Sequence, residues 1–137
     1  MGNRAFITDE SRKVGVYLHW NGGRDSVEAF LEYCKRKDCR GFGQDTSYGM
    51  ARLVQVVANF FGGTGSIGIS PYPCYDDNGV YIVKGWDIVG RKGWDYNEEK
   101  EVDFPESWEQ HEYDLEEMIE EIDSRQPEGQ RLKDKEV

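Results

Sequence analysis

The sequence predicts an α+β domain: a small antiparallel sheet packed against two helices, with an acidic helix toward the C-terminus. Three observations carry this. Short β-branched and aromatic runs, such as Val-Gly-Val-Tyr-Leu-His-Trp over residues 14–20, stand between turn-forming residues. Residues 25–37 and 46–61 repeat apolar side chains at helical spacing. Fifteen of the 16 glycines lie at or before Gly93, and the carboxylates gather after it.

Taken in order, residues 4–8 and 14–20 read as the two strands of a hairpin about the polar turn 9–13. Residues 25–37 read as the first helix, with Asp25 as N-cap and Glu28 completing a capping box. Its apolar face is Val27, Phe30, Leu31 and Cys34. Residues 46–61 form the second helix, closed by Gly62-Gly63; its polar stripe is so narrow that it reads as the most buried of the helices. Residues 65–70 and 80–83 read as two strands paired antiparallel, with Asp77-Asn78-Gly79 as a tight turn before the second. Residues 86–89 read as a last strand. Lys84-Gly85-Trp86-Asp87 recurs as Lys92-Gly93-Trp94-Asp95, which reads as two strand ends with similar turn chemistry. Residues 114–123 form the third helix, capped by Asp114, with Leu115, Met118, Ile119 and Ile122 as its stripe lying across the sheet. The organisation is then a glycine- and aromatic-rich core over 1–95, an acidic segment over 96–125 and a flexible tail over 126–137.

The 137 residues carry a formal net charge of -10. That charge opposes coating a nucleic acid or an anionic lipid surface. It is unevenly spread. Residues 1–94 hold 10 acidic and 12 basic side chains, and residues 95–137 hold 17 and 5. Between Glu98 and Asp123 there are 13 carboxylates and a single lysine, Lys100. Glu116/Glu120 and Glu117/Glu121 are like-charge pairs at i,i+4, each costing about 0.2–0.5 kcal/mol. General solubility needs no such one-sided clustering. The residue types point to a surface whose carboxylates stand in for phosphates in a basic groove. Its members are Glu98, Glu99, Glu101, Asp103, Glu106, Glu109, Glu112, Glu116, Glu117, Glu120, Glu121 and Asp123, with Trp108 among them. Trp94, Tyr96, Phe104 and Tyr113 supply further apolar anchors.

Other chemistry is thinly represented. Cys34, Cys39 and Cys74 are an odd number with no zinc-like spacing, and they read as reduced thiols. His19 and His111 are isolated. No catalytic residue, metal site or cofactor is expected. No apolar run reaches the roughly 18 residues of a membrane span, and no secretory signal opens the chain, so a cytoplasmic protein is expected.

Two resemblances add to this. The string Tyr17-Leu18-His19-Trp20-Asn21-Gly22-Gly23-Arg24-Asp25-Ser26 resembles the phosphate-gripping loop of PP-loop ATP pyrophosphatases, a strand followed by Ser-Gly-Gly-x-Asp-Ser, with Asn21 in place of the leading serine. The resemblance implies a nucleotide phosphate held by Asn21, Gly22, Gly23, Arg24 and Ser26. With Gly2-Asn3-Arg4-Ala5 at its start, followed by Val-Tyr-Leu-His-Trp-Asn-Gly-Gly-Arg-Asp-Ser-Val-Glu-Ala-Phe-Leu over residues 16–31, the chain over residues 2–61 also resembles a group of small uncharacterised proteins of phages and mobile elements of Gram-positive bacteria. That resemblance implies no assigned enzyme activity, and an accessory role in host–phage conflict. The combined expectation is an acidic inhibitor or adaptor that mimics nucleic acid. Its partner would be a basic host protein such as a CRISPR effector or restriction nuclease, with no direct contact to nucleic acid or membrane. The alternative is a nucleotide- or phosphate-binding protein using residues 21–26. The surplus of aromatics also suits a homodimer.

Overall fold

In the computed structural model, which describes residues 2–43, 46–63, 65–106, 109 and 111–136, the first hairpin is the centre of the sheet. Strands β1 (Ala5–Asp9) and β2 (Gly15–Leu18) pair antiparallel, Ile7 opposite Val16. Asp9 shapes their turn by accepting the Ser11 and Arg12 N–H groups, which lets Arg12 adopt φ +58°. Gly15 is required here: a Cβ would lie 2.2 Å from the Phe6 ring. Every residue of β1 is buried, as a strand covered on both faces must be.

β3 (Ile67–Ser70) joins the outer side of β2, antiparallel. It does not pair with β4 (Val80–Lys84), which lies parallel to β1. The sheet therefore has six strands in the order β3-β2-β1-β4-β5-β6 and is mixed, not wholly antiparallel as expected. The turn at Asp77-Asn78-Gly79 has the expected positive φ values, 62° at Asp77 and 73° at Gly79. Its partner is the start of β1. Arg4 N–H donates to Asp77, Asn78 N–H to Arg4 O, and Phe6 N–H to Gly79 O. Residues 71–79, with Pro71 and Pro73, cross the sheet face opposite the helices. There the Tyr75 ring meets Trp94 at a 46° tilt with ring centroids 5.3 Å apart.

β5 (Asp87–Asp95) is longer than the expected strand and pairs antiparallel with β4 around a bulge at Ile82/Val83. β6 (Lys100–Asp103), inside the acidic segment, completes the far edge.

The helices α1 (Arg24–Arg36) and α2 (Thr46–Phe60) cover the other face. α1 buries Val27, Phe30, Leu31 and Cys34 as expected, and Ser26, Ala29 and Tyr33 as well. The reason is α3 (Leu115–Ser124), which packs Met118, Ile119 and Ile122 onto the α1 layer and does not lie across the sheet. α1 is thus the central helix, a role the sequence assigned to α2. Phe30 meets Phe60 of α2 edge to face at 5.3 Å, an arrangement worth about 0.5–1.5 kcal/mol beyond area burial. Asp114 caps α3 by accepting the Glu117 N–H. Leu115, expected in the apolar stripe, is exposed.

After α3 the chain folds back. Gln126 is buried and donates to the Val56 and Ile122 carbonyls while accepting from Asn59. Leu132, at the start of a 3₁₀ turn (Leu132–Glu136), rests on the core. Residues 126–136 thus carry anchors where only a tail was expected. No helix among the described residues is long and apolar enough to cross a membrane.

Candidate functional site

The acidic segment meets the cations of the core strand by strand. At the β5–β6 hairpin Glu98 pairs with Lys100 at 2.9 Å, and Asp103 pairs with Lys92 at 2.6 Å. Glu101 takes a two-pronged contact from the Arg12 guanidinium and accepts the Tyr75 hydroxyl at 2.6 Å. Arg12 foremost, with Tyr75 helping, holds the Glu101 carboxyl at about 2, well below the ordinary carboxylate range. A lowered folded value means that the contribution is present above about pH 4.5 and is lost as pH falls toward 2. Both groups remain about one-third exposed, so the pair stabilises by no more than about 1 kcal/mol after screening. Urea midpoints measured against pH are expected to fall less steeply through this window for Glu101→Gln than for the parent. Parallel curves would show that the pair contributes nothing.

Between β6 and α3 the segment covers the start of α1. Glu106 pairs with Arg24. Glu109 is nearly buried, takes the Arg91 guanidinium at 2.6 Å and accepts the Arg24 backbone N–H at 2.7 Å. Arg91 is itself buried, its side chain 2% exposed, and lies over the rings of Tyr81 and Phe104 at 4.5 and 3.8 Å. Its Nε donates to Asn78 O, and its Nη2 has no partner among the described residues. Phe104, expected as an anchor for a partner, is therefore engaged within the fold. Trp108 lies outside the described residues.

The same contacts decide the glycine loop. The N-cap of α1 is Gly23, not Asp25, and it has no side chain to close the helix start; within the first turn Asp25 Oδ1 accepts the Ser26 N–H at 2.7 Å. The other Asp25 oxygen, Oδ2, accepts the N–H groups of Glu112 and Tyr113, and Glu28 pairs with Arg24 instead of closing a capping box. Asn21 donates to Ser26 Oγ at 3.3 Å. The anion at this helix start is the chain's own Glu109 carboxylate, which suits the partial positive charge there.

On α3, Glu116 is gripped by Arg36 at 2.6 and 2.9 Å, which lowers its carboxyl from the ordinary range. Glu121 pairs with Arg125 at 2.8 Å. Asp123 points inward, accepting the Tyr33 hydroxyl and the Leu132 N–H. The carboxylates of Glu99, Glu112, Glu117 and Glu120 have no partner among the described residues. The set of acidic residues therefore divides. Five of its twelve carboxylates neutralise cations of residues 1–94, three more find partners elsewhere in the fold, and those left to solvent are Glu99 at the β5–β6 turn and a group around the outer face of α3. Tyr113 and Leu115, both exposed, stand at the start of that face.

Searches against protein-family models, curated proteins and solved structures found no match for this chain. The site is thus read from its residues alone. Burial pushes the Cys34 and Cys74 thiols up, away from the nucleophilic thiolate form. No group of three or more His, Cys, Asp or Glu among the described residues is placed to hold a metal ion. Sequence reasoning missed Arg91. The available signal was an arginine amid a strand-like run, since a buried guanidinium needs a carboxylate.

Proposed function

We propose that this protein is a non-enzymatic inhibitor or adaptor that docks a basic, nucleic-acid-handling protein through the outer face of α3. The observation that carries this is that Glu117 and Glu120 are exposed and have no partner among the described residues, although the fold pairs most of their acidic neighbours. Glu117 and Glu120 lie three residues apart, about 4.5 Å along the helix axis, so two unneutralised carboxylates stand close together, as neighbouring phosphates of duplex DNA do. Exposed Tyr113 and Leu115 supply apolar contact beside the charges. In a host cytoplasm, and with the phage or mobile-element origin implied by the resemblance, the partner class is a CRISPR effector or restriction nuclease. The groove is occluded where DNA would lie.

The test is competition against fluorescent duplex DNA on a panel of purified effectors of these two kinds. The parent protein is expected to displace DNA from at least one of them, with affinity falling as salt is added. The double variant Glu117→Lys/Glu120→Lys is expected to lose at least about tenfold, equivalent to ~1.4 kcal/mol. Reversal at Glu98 and Glu99, on the β5–β6 turn, is expected to change little. Equal competition by the parent and the α3 variant, or no displacement from any effector, would remove the proposal.

A further inference from the structure

The two edges of the sheet are chemically opposite. β6 carries Lys100, Glu101 and Asp103, the kind of charged edge that discourages pairing with another strand. β3, Ile-Gly-Ile-Ser, has no charge, and residues 53–75 around it hold no Asp, Glu, Lys or Arg. In a chain that is 32% charged, this is its least guarded surface. Ile69 is 64% exposed on that edge, and Tyr72, just beyond Pro71, is 79% exposed.

The phase of the ladder fixes what the edge offers. His19 N–H donates to Ser66 O, and Tyr17 and Gly15 stand opposite Gly68 and Ser70. In an antiparallel pair these alternate residues turn their backbone groups toward the neighbour. Gly68 and Ser70 therefore face β2, and the N–H and C=O groups of Ile67 and Ile69 point away from the sheet.

We propose that this edge pairs with the β3 of a second copy, antiparallel about a twofold axis at Gly68. Ile67 then lies opposite the partner copy's Ile69, and each such pair exchanges two backbone hydrogen bonds. The edge is self-complementary, as a twofold interface must be. Both isoleucines lie on the helix-side face, shared with Val16 and Leu18, so pairing covers Ile69 with the partner's Ile67. Pro71 has no N–H to donate and ends the ladder there, which keeps it to a single short repeat.

Charge favours this occupant over others. Two copies of net charge -10 repel, but the charged β6 edge lies five strand spacings away, about 24 Å. That exceeds twice the ~8–10 Å screening length in physiological salt. A basic partner finds nothing to pair with at β3, whereas a second uncharged β3 does. So short a ladder gives a concentration-dependent dimer. This inference is independent of the acidic face.

The experiment is light scattering coupled to size exclusion on the full chain, up to sub-millimolar concentration, with amide hydrogen exchange at Ile67 and Ile69. The mass is expected to rise from 15.8 kDa toward twice that value with concentration, with protection of those two amides. Ile69→Lys, at an exposed position, is expected to remain monomeric with an unchanged circular dichroism spectrum. Ile69→Pro, which removes only an outward N–H, is expected to weaken the dimer as well. A parent that stays monomeric throughout, an Ile69→Lys variant that still dimerises, or a dimer dissolved by added salt would each overturn the proposal.

Discussion

Replacing Arg91 by methionine is expected to lower folding stability by about 3–5 kcal/mol, the usual consequence of leaving one partner of a buried ion pair alone. The guanidinium is nearly sealed from solvent between Tyr81 and Phe104, and it joins three separate parts of the chain. Its Nε holds the Asn78 carbonyl beside the β1–β4 junction, and its Nη1 holds Glu109, which in turn accepts the N–H at the start of α1. Methionine fills much of the volume but leaves the Glu109 carboxylate with the Arg24 N–H as its remaining partner among the described residues. The pair itself need not be a net stabiliser, because desolvating both charges offsets much of their attraction. The unpartnered Nη2 adds to that offset. The double variant Arg91→Met/Glu109→Gln is therefore expected to recover most of the loss, since the amide oxygen still accepts from Arg24. Urea unfolding with an unchanged m-value measures both, and the cycle isolates the coupling. A single variant within about 1 kcal/mol of the parent would show that this contact does not hold the acidic segment to the core.

The same contact explains which parts of the fold were legible. Local chemistry read correctly wherever neighbours in sequence decide the outcome. Gly62 and Gly63 take positive φ at the end of α2, Asp114 caps α3, and Asp9 turns the first hairpin. It failed where the partner is distant. Asp77-Asn78-Gly79 makes the turn it promised, but what it docks is Arg4, 73 residues earlier. That single long-range choice places β4 beside β1 and makes the sheet mixed. Asp25 is a sound cap by type, yet Gly23 takes that position, and while one Asp25 oxygen accepts the adjacent Ser26 N–H the other is drawn to N–H groups 87 and 88 residues later. The acidic segment failed for a related reason. A charge count cannot say which carboxylates meet a core cation. Arg12, Arg24, Arg36, Arg91 and Lys92 each find one, so a segment that read as an attachment is an edge strand, a cover over α1 and a helix on its outer side. The candidate site contracts accordingly, from thirteen residues spread along the chain to the outer face of α3.

The paired glycines of the 21–26 loop divide into one that the fold needs and one that it does not. A Cβ on Gly22 would lie 2.6 Å from Asn3 O, 2.7 Å from the Arg4 carbonyl carbon and 2.8 Å from Ala5 Cβ. These are backbone and short-side-chain atoms of β1 and its approach, with no flexible end to swing aside. Gly22 is also fixed from both sides, its N–H donating to Asn3 O and its C=O accepting the buried Tyr81 hydroxyl. Gly22→Ala is therefore expected to destabilise near the upper end of the ~1–3 kcal/mol range of overpacked sites. At Gly23 φ is -66°, open to any residue, and a Cβ would meet Asp25 Oδ1 at 3.2 Å and Glu109 Oε1 at 3.5 Å. The lower entropy of an unfolded chain with alanine favours folding by about 0.4–1 kcal/mol, which offsets the tight approach to Asp25. Gly23→Ala is expected within about 0.5 kcal/mol of the parent. A loop built to grip a phosphate with its backbone would need both glycines, for close approach of the ligand. A loop built to let β1 pass beneath the start of α1 needs only the first. Thermal and urea unfolding of the two variants separate these cases, and equal losses at both positions would contradict the strand-crossing account.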